Sequence, residues 1–283
     1  MTRFIKIICV LFSCAAISVW WFIFNTSSSL DPELFFLPVG QGDAQLVRMG
    51  PARMLIDGGP NRSVVDALDT ILGAGAYLDV IFISHGQADH ITGLFDVISS
   101  RSVGTIIYQG EITPLLSELF VRAESLHIPV VRIDVLSTVS YNGFSFTVLS
   151  SGQTTSSSNA VNDDSLVLRF DAHHACALFT ADIGFAMEKE LLMRYGDQLN
   201  CDVLKVAHHG SKTSSLGEFL NRVSPQVSVI EVGKNSYGHP TAEVLARLTQ
   251  VGSRIFRTDQ EGIVKIVFQD GLLRVSSASI HTR

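Results

Sequence analysis

The sequence predicts an α/β domain in which two β-sheets pack face to face and helices cover their outer faces. Three observations predict it. Short β-branched and aromatic runs alternate with segments of helical spacing along most of the chain. The composition, 46% apolar and 17% charged over 283 residues, supports a substantial core. Several strands also end in Asp, His or small residues, as expected when a rigid sheet carries reactive groups on its edge loops.

Residues 1–30 stand apart from this pattern. Arg3 and Lys6 precede Ile7 to Phe24, an uncharged apolar run of about the length that a bilayer-spanning helix needs. Positive residues before such a span keep the N-terminus in the cytoplasm and place residues 31–283 outside it, periplasmic or extracellular. The expectation is therefore an uncleaved single-pass membrane anchor. A cleaved signal peptide is the alternative, but no clear small-x-small site follows Phe24. The whole chain has 21 basic and 27 acidic residues; without Arg3 and Lys6 the remainder has 19 against 27, a formal charge of −8. That argues against a broad basic footprint for gripping duplex DNA. Cys176 and Cys201 belong to no C-x-x-C pair, so a cysteine metal site is not expected. Two buried free thiols are the preferred reading, with a disulfide as the alternative in an exported domain.

Leu34 to Val39, Ala44 to Met49 and Met54 to Ile56 read as three strands of an antiparallel meander, the last ending in Asp57-Gly58-Gly59-Pro60. Asn61 is placed to cap a helix from Arg62 to Leu72, with Val64, Val65, Leu68 and Leu72 on one face. Leu78 to Ile83 reads as a buried strand, and Ile91, Leu94, Phe95 and Ile98 have helical spacing. Strands follow at Thr105 to Tyr108, Val130 to Ile133 and Phe144 to Leu149, with a helix at Pro114 to Leu126 and a Ser/Thr-rich loop from Ser151 to Asn159. Ser165 to Phe170 and Ala175 to Thr180 form a hairpin with His173 and His174 in an exposed turn. A helix at Gly184 to Tyr195 and a strand at Asp202 to Ala207 come next. Leu216 to Val223, Val227 to Val232, Thr241 to Leu248 and Arg254 to Phe256 then alternate helix and strand, and Gly262 to Phe268 with Leu272 to Ser276 close the chain as a hairpin.

The chemistry concentrates where strands end. Ser84-His85-Gly86-Gln87-Ala88-Asp89-His90 joins a strand to a helix, so that His85, Asp89 and His90 converge. Imidazole and carboxylate together suit a borderline divalent cation such as zinc or manganese. Other strands end at Asp57, at Ala181-Asp182 and at His208-His209. Any one of these alone is more often a capping Asp or a satisfied His. Four at equivalent positions in one chain point to a shared site.

Val39-Gly40-Gln41-Gly42-Asp43-Ala44, Ile56-Asp57-Gly58-Gly59, Ser84 to His90, Phe179-Thr180-Ala181-Asp182, Lys205 to Lys212 and Tyr237-Gly238-His239-Pro240 resemble the metallo-β-lactamase fold, above all the branch at the end of ComEC DNA-uptake proteins. The resemblance runs from about Glu33 to about Phe268 and implies a four-layer αββα sandwich with a metal site at the sheet edges. It implies His85, Asp89, His90, Asp182 and one of His208 and His209 as metal ligands. Two departures bear on the number of metals. Gln87 stands where the family has His or Asp, and an amide is a weak ligand. The mid-chain His is also absent, with Asp163 or Asp164 as a substitute. One position (Asp89, His90, Asp182 and a late His) is thus complete; the other (His85, Gln87, Asp164) is not. His208 and His209 are adjacent, and in an extended chain they face opposite ways, one to the metal and one to a group that supports the metal ligands or to substrate.

Such a site suits hydrolysis by metal-activated water. Asp89, Lys212 and His239 form the candidate catalytic set, with Lys212 and His239 meeting a negatively charged substrate. The resemblance implies a phosphodiesterase or nuclease acting on single-stranded DNA or another phosphodiester. If it serves DNA uptake, the channel is a separate protein. A hydrolase of another ester or amide, such as a cell-envelope phosphoester or a β-lactam, and a binding module with a weakened metal site are the competing classes.

Overall fold

The structure, a computed structural model, describes residues 31–150, 162, 164–269 and 271–278. The expected anchor, the Ser/Thr-rich loop and Asp163 lie outside the described residues. Among the described residues no helix is long and apolar enough to cross a membrane.

Strands β1 (Glu33–Phe36), β2 (Gln45–Met49) and β3 (Ala52–Ile56) pair as the expected antiparallel meander. β4 (Leu78–Ile83), β5 (Val103–Tyr108) and β6 (Val130–Arg132) then add in parallel, reached through helices α1 (Ser63–Leu72), α2 (Ala88–Ser100) and α3 (Pro114–Ser125). The second sheet begins antiparallel with β7 (Thr138–Tyr141), β8 (Phe144–Val148), β9 (Leu168–Ala172) and β10 (Ala175–Phe179). It continues in parallel with β11 (Val203–Lys205), β12 (Val227–Ile230) and β13 (Arg254–Arg257), between which run α4 (Phe185–Tyr195), α5 (Gly217–Val223) and α6 (Ala242–Gln250). After the short α7 (Thr258–Glu261), the hairpin β14 (Ile263–Gln269) and β15 (Leu272–Ala278) returns to the first sheet, where β14 pairs with β1. The sheet orders are β15-β14-β1-β2-β3-β4-β5-β6 and β13-β12-β11-β10-β9-β8-β7.

Period-two alternation makes this a four-layer sandwich. Phe36, Val47, Met54, Phe82 and Ile266 of the first sheet meet Phe146, Phe170, Phe179, Val203 and Val229 of the second in one buried core. Phe82 and Phe146 cross the interface with ring centroids 5.2 Å apart. Burying each such side chain contributes about 1.5–3 kcal/mol. The opposite face of the first sheet, with Phe35, Leu46, Ile81 and Ile83, packs on Val64 and Leu68 of α1 and on Ile91 and Leu94 of α2. The outer face of the second, with Leu178 and Leu204, packs on Met187, Leu191, Phe219 and Val244.

The structure departs from the sequence reading in three places. β7 is unread in the sequence because Thr138, Ser140 and Tyr141 are exposed on an edge, so no apolar period marks it. The strand expected over Asp202 to Ala207 stops at Lys205, because His208 and His209 take left-handed backbone conformations at φ 51° and 52°. Cys176 and Cys201, read as free thiols, form a disulfide. The parallel register of β10 and β11, Ala177 opposite Val203, brings their Cα atoms to 5.1 Å, within disulfide range.

Candidate metal centre

The parallel strands of both sheets deliver their C-terminal ends to one edge of the sandwich. Asp57 follows β3, Ser84 and His85 follow β4, Asp182 follows β10, His208 and His209 follow β11, and Glu231 follows β12. Asp89 and His90 occupy the first turn of α2, where the helix dipole favours a carboxylate. Glycines allow the close approach this needs. A Cβ on Gly93 of α2 would lie 2.1 Å from the Gly58 carbonyl oxygen, and one on Gly42 would lie 2.2 Å from that of Asp89. The Gly58 amide donates to the His90 carbonyl at 2.7 Å, locking helix to turn. Asp57, Ala181, His208 and His209 all have positive φ, and left-handed backbone at non-glycine residues costs of order 1–3 kcal/mol each.

One ligand atom from each of Asp89, His90, Asp182 and His209 lies within 4.8 Å of every other. His90 Nε2 is 3.5 Å from Asp182 Oδ1, and His209 Nε2 is 3.5 Å from both Asp89 Oδ2 and Asp182 Oδ2. The other ring nitrogens are engaged. His90 Nδ1 donates to Asp57 Oδ2 at 2.8 Å, and His209 Nδ1 donates to the Glu231 carbonyl at 2.8 Å. Those bonds turn both Nε2 atoms inward, where they are buried without a hydrogen-bond partner, as is Asp182 Oδ1. Buried polar atoms are otherwise nearly always paired, so these orphans fit a divalent cation with imidazole and carboxylate ligands.

Around this set lies a second layer of buried charge. Lys205 makes an ion pair with Asp43, donates to the Ala181 carbonyl at 2.9 Å, and has its ammonium 3.7 Å from Asp182 Oδ1. Asp43 Oδ1 is 3.3 Å from His209 Nδ1. Glu231 accepts from the Ala44 amide at 3.1 Å and from Gln45. Asp57 also accepts from the Ser84 amide at 2.8 Å and from its hydroxyl at 2.6 Å.

Buried carboxylates and imidazoles in this pocket shift one another's titration. Burial would lower the His90 pKa, but Asp182, Asp43 and Asp57 outweigh it and hold His90 well above the ordinary imidazole value. His209 is raised in the same way, against burial, by Asp182 and Asp43. Burial would raise Asp182, yet His209 and His90 hold it well below the usual carboxylate range. Burial keeps Asp57 above that range. His85 is pushed down to about 3 by burial and by His90, which outweigh Asp182, Asp89 and Asp43.

Of the expected ligands, His209 joins the cluster and His208 does not. His208 is a quarter exposed, lies 3.7 Å from Asp182 Oδ2 through Nε2, and turns its ring edge toward His239. The two diverge through a left-handed turn, not an extended chain. His85 Nε2 is buried without a partner beside the cluster, its ring 4.2 Å from that of His90. Gln87 instead donates to Asn162, and Asp164 accepts from the Glu111 amide at 3.1 Å, so neither joins His85 in a second ligand set. His208, His209, Asp89 and His239 line a cleft of about 600 Å³ together with Lys234 and Tyr237. Lys212 is exposed and does not line it; Lys234, which the sequence reading passed over, does. Asp43, Lys205 and Glu231 were also passed over as site residues. The signal for Lys205 and Glu231 was a lone charge in an apolar run (Val203-Leu204-Lys205-Val206, Val229-Ile230-Glu231-Val232), which requires a buried partner.

The model of the metallo-beta-lactamase superfamily matches residues 37–233. The chain is 33% identical to the competence protein ComA of Neisseria gonorrhoeae over 80% of its own length and 31% of that protein's. It is 29% identical to ComE operon protein 3 of Bacillus subtilis over 95% of its own length and 36% of that protein's. It thus spans about a third of the length of these curated relatives. Among solved structures, the metallo-beta-lactamase fold protein YhfI of Bacillus subtilis superposes with a TM-score of 0.56 at 14% identity, covering 83% of this chain and 100% of that one. A diphosphatase of the PhnP family gives 0.52 at 17% identity, covering 84% and 98%. With the family model matched across most of the folded chain and a His/Asp cluster suited to a metal at the sheet edge, the protein belongs to the metallo-beta-lactamase superfamily.

Proposed function

We propose that the chain is a phosphodiesterase acting on single-stranded DNA, with Asp89, His90, Asp182 and His209 holding one zinc or manganese ion. The observation that carries this is the convergence of four ligand atoms whose buried imidazole nitrogens have no other partner. The similarity to ComA and ComE operon protein 3 supports the choice of DNA and a place beside a separate DNA-uptake channel. The Cys176–Cys201 disulfide supports a domain working outside the cytoplasm, tethered through Ile7 to Phe24, since such bonds persist in oxidising compartments.

Held by Asp89, His90, Asp182 and His209, a divalent cation would supply an activated water and Lewis-acid polarisation of a phosphoryl oxygen. The chain's own residues do the rest. Lys234 brings a cation to the cleft wall, where a phosphate would lie. Burial and the neighbouring His208 and His209 depress the pKa of His239. That keeps its ring neutral near pH 7, so its N–H serves as a hydrogen-bond donor to a phosphate oxygen better than as a proton source. His208, also depressed by burial, packs edge-on against it and can take a similar part. Asp89, a third exposed, is the ligand that borders the cleft and is placed to orient a water.

The test is metal content and cleavage of labelled single-stranded DNA with manganese or zinc, in the unaltered protein and in Asp182→Ala. The unaltered chain should bind one equivalent and cut; Asp182→Ala should do neither. Equal inactivity of both, with turnover of a β-lactam or another phosphoester by the unaltered protein, would replace the nuclease reading with that of a general hydrolase.

A further inference from the structure

We infer that Tyr237 is a stacking platform for one unpaired nucleobase of the substrate, beside a phosphate that meets Lys234. This rests on the phosphodiester reading of the metal centre and adds to it how the strand is held.

Tyr237 is 73% exposed, yet it lines the cleft with Asp89, His209 and His239. One side of its ring lies toward His239, with centroids 5.7 Å apart and planes 30° from parallel. The loop beneath is held. Asn235 Oδ1 accepts from the Tyr237 amide at 3.1 Å and the His239 amide at 3.0 Å, while its Nδ2 donates to the Gly233 and His239 carbonyls, each at 2.9 Å. An aromatic ring presented on a braced loop loses little conformational freedom when a second ring settles on it.

Lys234 sits on the same loop and lines the same cleft. A flat aromatic face, an ammonium and the ligand cluster therefore surround one space of about 600 Å³. A nucleotide presents groups that match these: a planar base, an anionic phosphate and a scissile ester. A lipid phosphoester would call for an apolar channel, whereas the remaining wall is mostly polar, with Gln41, Gln87, Asn235 and Ser236 against Pro60 and Ala88. A base in a duplex has both faces covered by its neighbours, so only an unpaired one can lie on Tyr237. Stacking on an aromatic side chain is also tolerant of sequence, so any of the four bases would fit.

The experiment uses the metal-loaded full chain, its Tyr237→Ala and Tyr237→Phe variants, and short single strands carrying 2-aminopurine. A matched strand has abasic sites in place of its bases. Circular dichroism and metal content are measured alongside to confirm that each variant is folded and loaded. Tyr237→Ala should weaken binding of the base-bearing strand roughly tenfold and relieve the quenching of 2-aminopurine fluorescence. Tyr237→Phe, which keeps the ring, should stay within about twofold and retain the quenching. On the abasic strand the loss in Tyr237→Ala should shrink to within about twofold. Unchanged affinity in Tyr237→Ala, or an equal loss on both strands, overturns the inference while leaving the nuclease reading in place. If the unaltered protein neither binds nor cuts either strand, the nuclease reading fails and the inference falls with it.

Discussion

Asp57→Asn is the sharpest test of how the site is built. Asp57 Oδ2 accepts hydrogen bonds from His90 Nδ1 at 2.8 Å and the Ser84 hydroxyl at 2.6 Å, while Oδ1 accepts one from the Ser84 amide at 2.8 Å. The backbone there has φ 57°, a conformation that Asn adopts as readily as Asp, so the change adds no strain. An asparagine would keep its oxygen on the Ser84 amide and turn its NH2 toward His90. Two N–H groups would then face each other, and the imidazole would relieve this by moving its proton to Nε2. That nitrogen is the one aimed at Asp182, and once protonated it has no lone pair for a metal. Loss of such an orienting partner typically costs 10–100-fold in metal affinity. At about 1.4 kcal/mol per factor of ten, that is about 1.4–2.8 kcal/mol. Chelator competition with zinc or manganese, on protein shown by circular dichroism to be folded, measures it directly. Affinity within twofold of the unaltered chain would refute the role given to His90.

Three further outcomes follow from the same geometry. His90 and His209 are held well above the ordinary imidazole value, so the metal-free pocket keeps protons that a cation must displace. Metal affinity should therefore rise with pH, and calorimetry in buffers of different ionisation enthalpy should detect proton release; pH-independent binding would contradict this. Lys205→Met leaves buried Asp43 without its cation, which should cost about 3–5 kcal/mol in urea unfolding, and adding Asp43→Asn should recover much of it. Replacing Cys176 and Cys201 together by Ala opens a link between residues 25 apart in sequence and should cost about 2–4 kcal/mol, read as a lower Tm.

Much of this protein could be read from local pattern. Period-two runs and helical spacing marked nearly every element, because each of them buries one face and must repeat its apolar residues at its own period. The residues that meet at the sheet edge were legible for the same local reason, since Asp89 and His90 fall at a strand-to-helix junction and Asp182 and His209 just past strand ends; His85, expected with them, lies beside the cluster of four. Other features depended on which strand lies beside which. No local period shows that the β14–β15 hairpin joins the first sheet by pairing β14 with β1, or that β10 and β11 run in parallel register and so join Cys176 to Cys201. The choice of His209 over His208 came from a left-handed turn together with the Glu231 carbonyl, 22 residues away, that fixes the His209 ring. Lys205 and Asp43 meet across 162 positions of sequence and between two sheets. A buried charge announces in sequence only that it needs a partner; which partner it finds is set by packing at long range, and here that packing also orients the histidines of the metal centre.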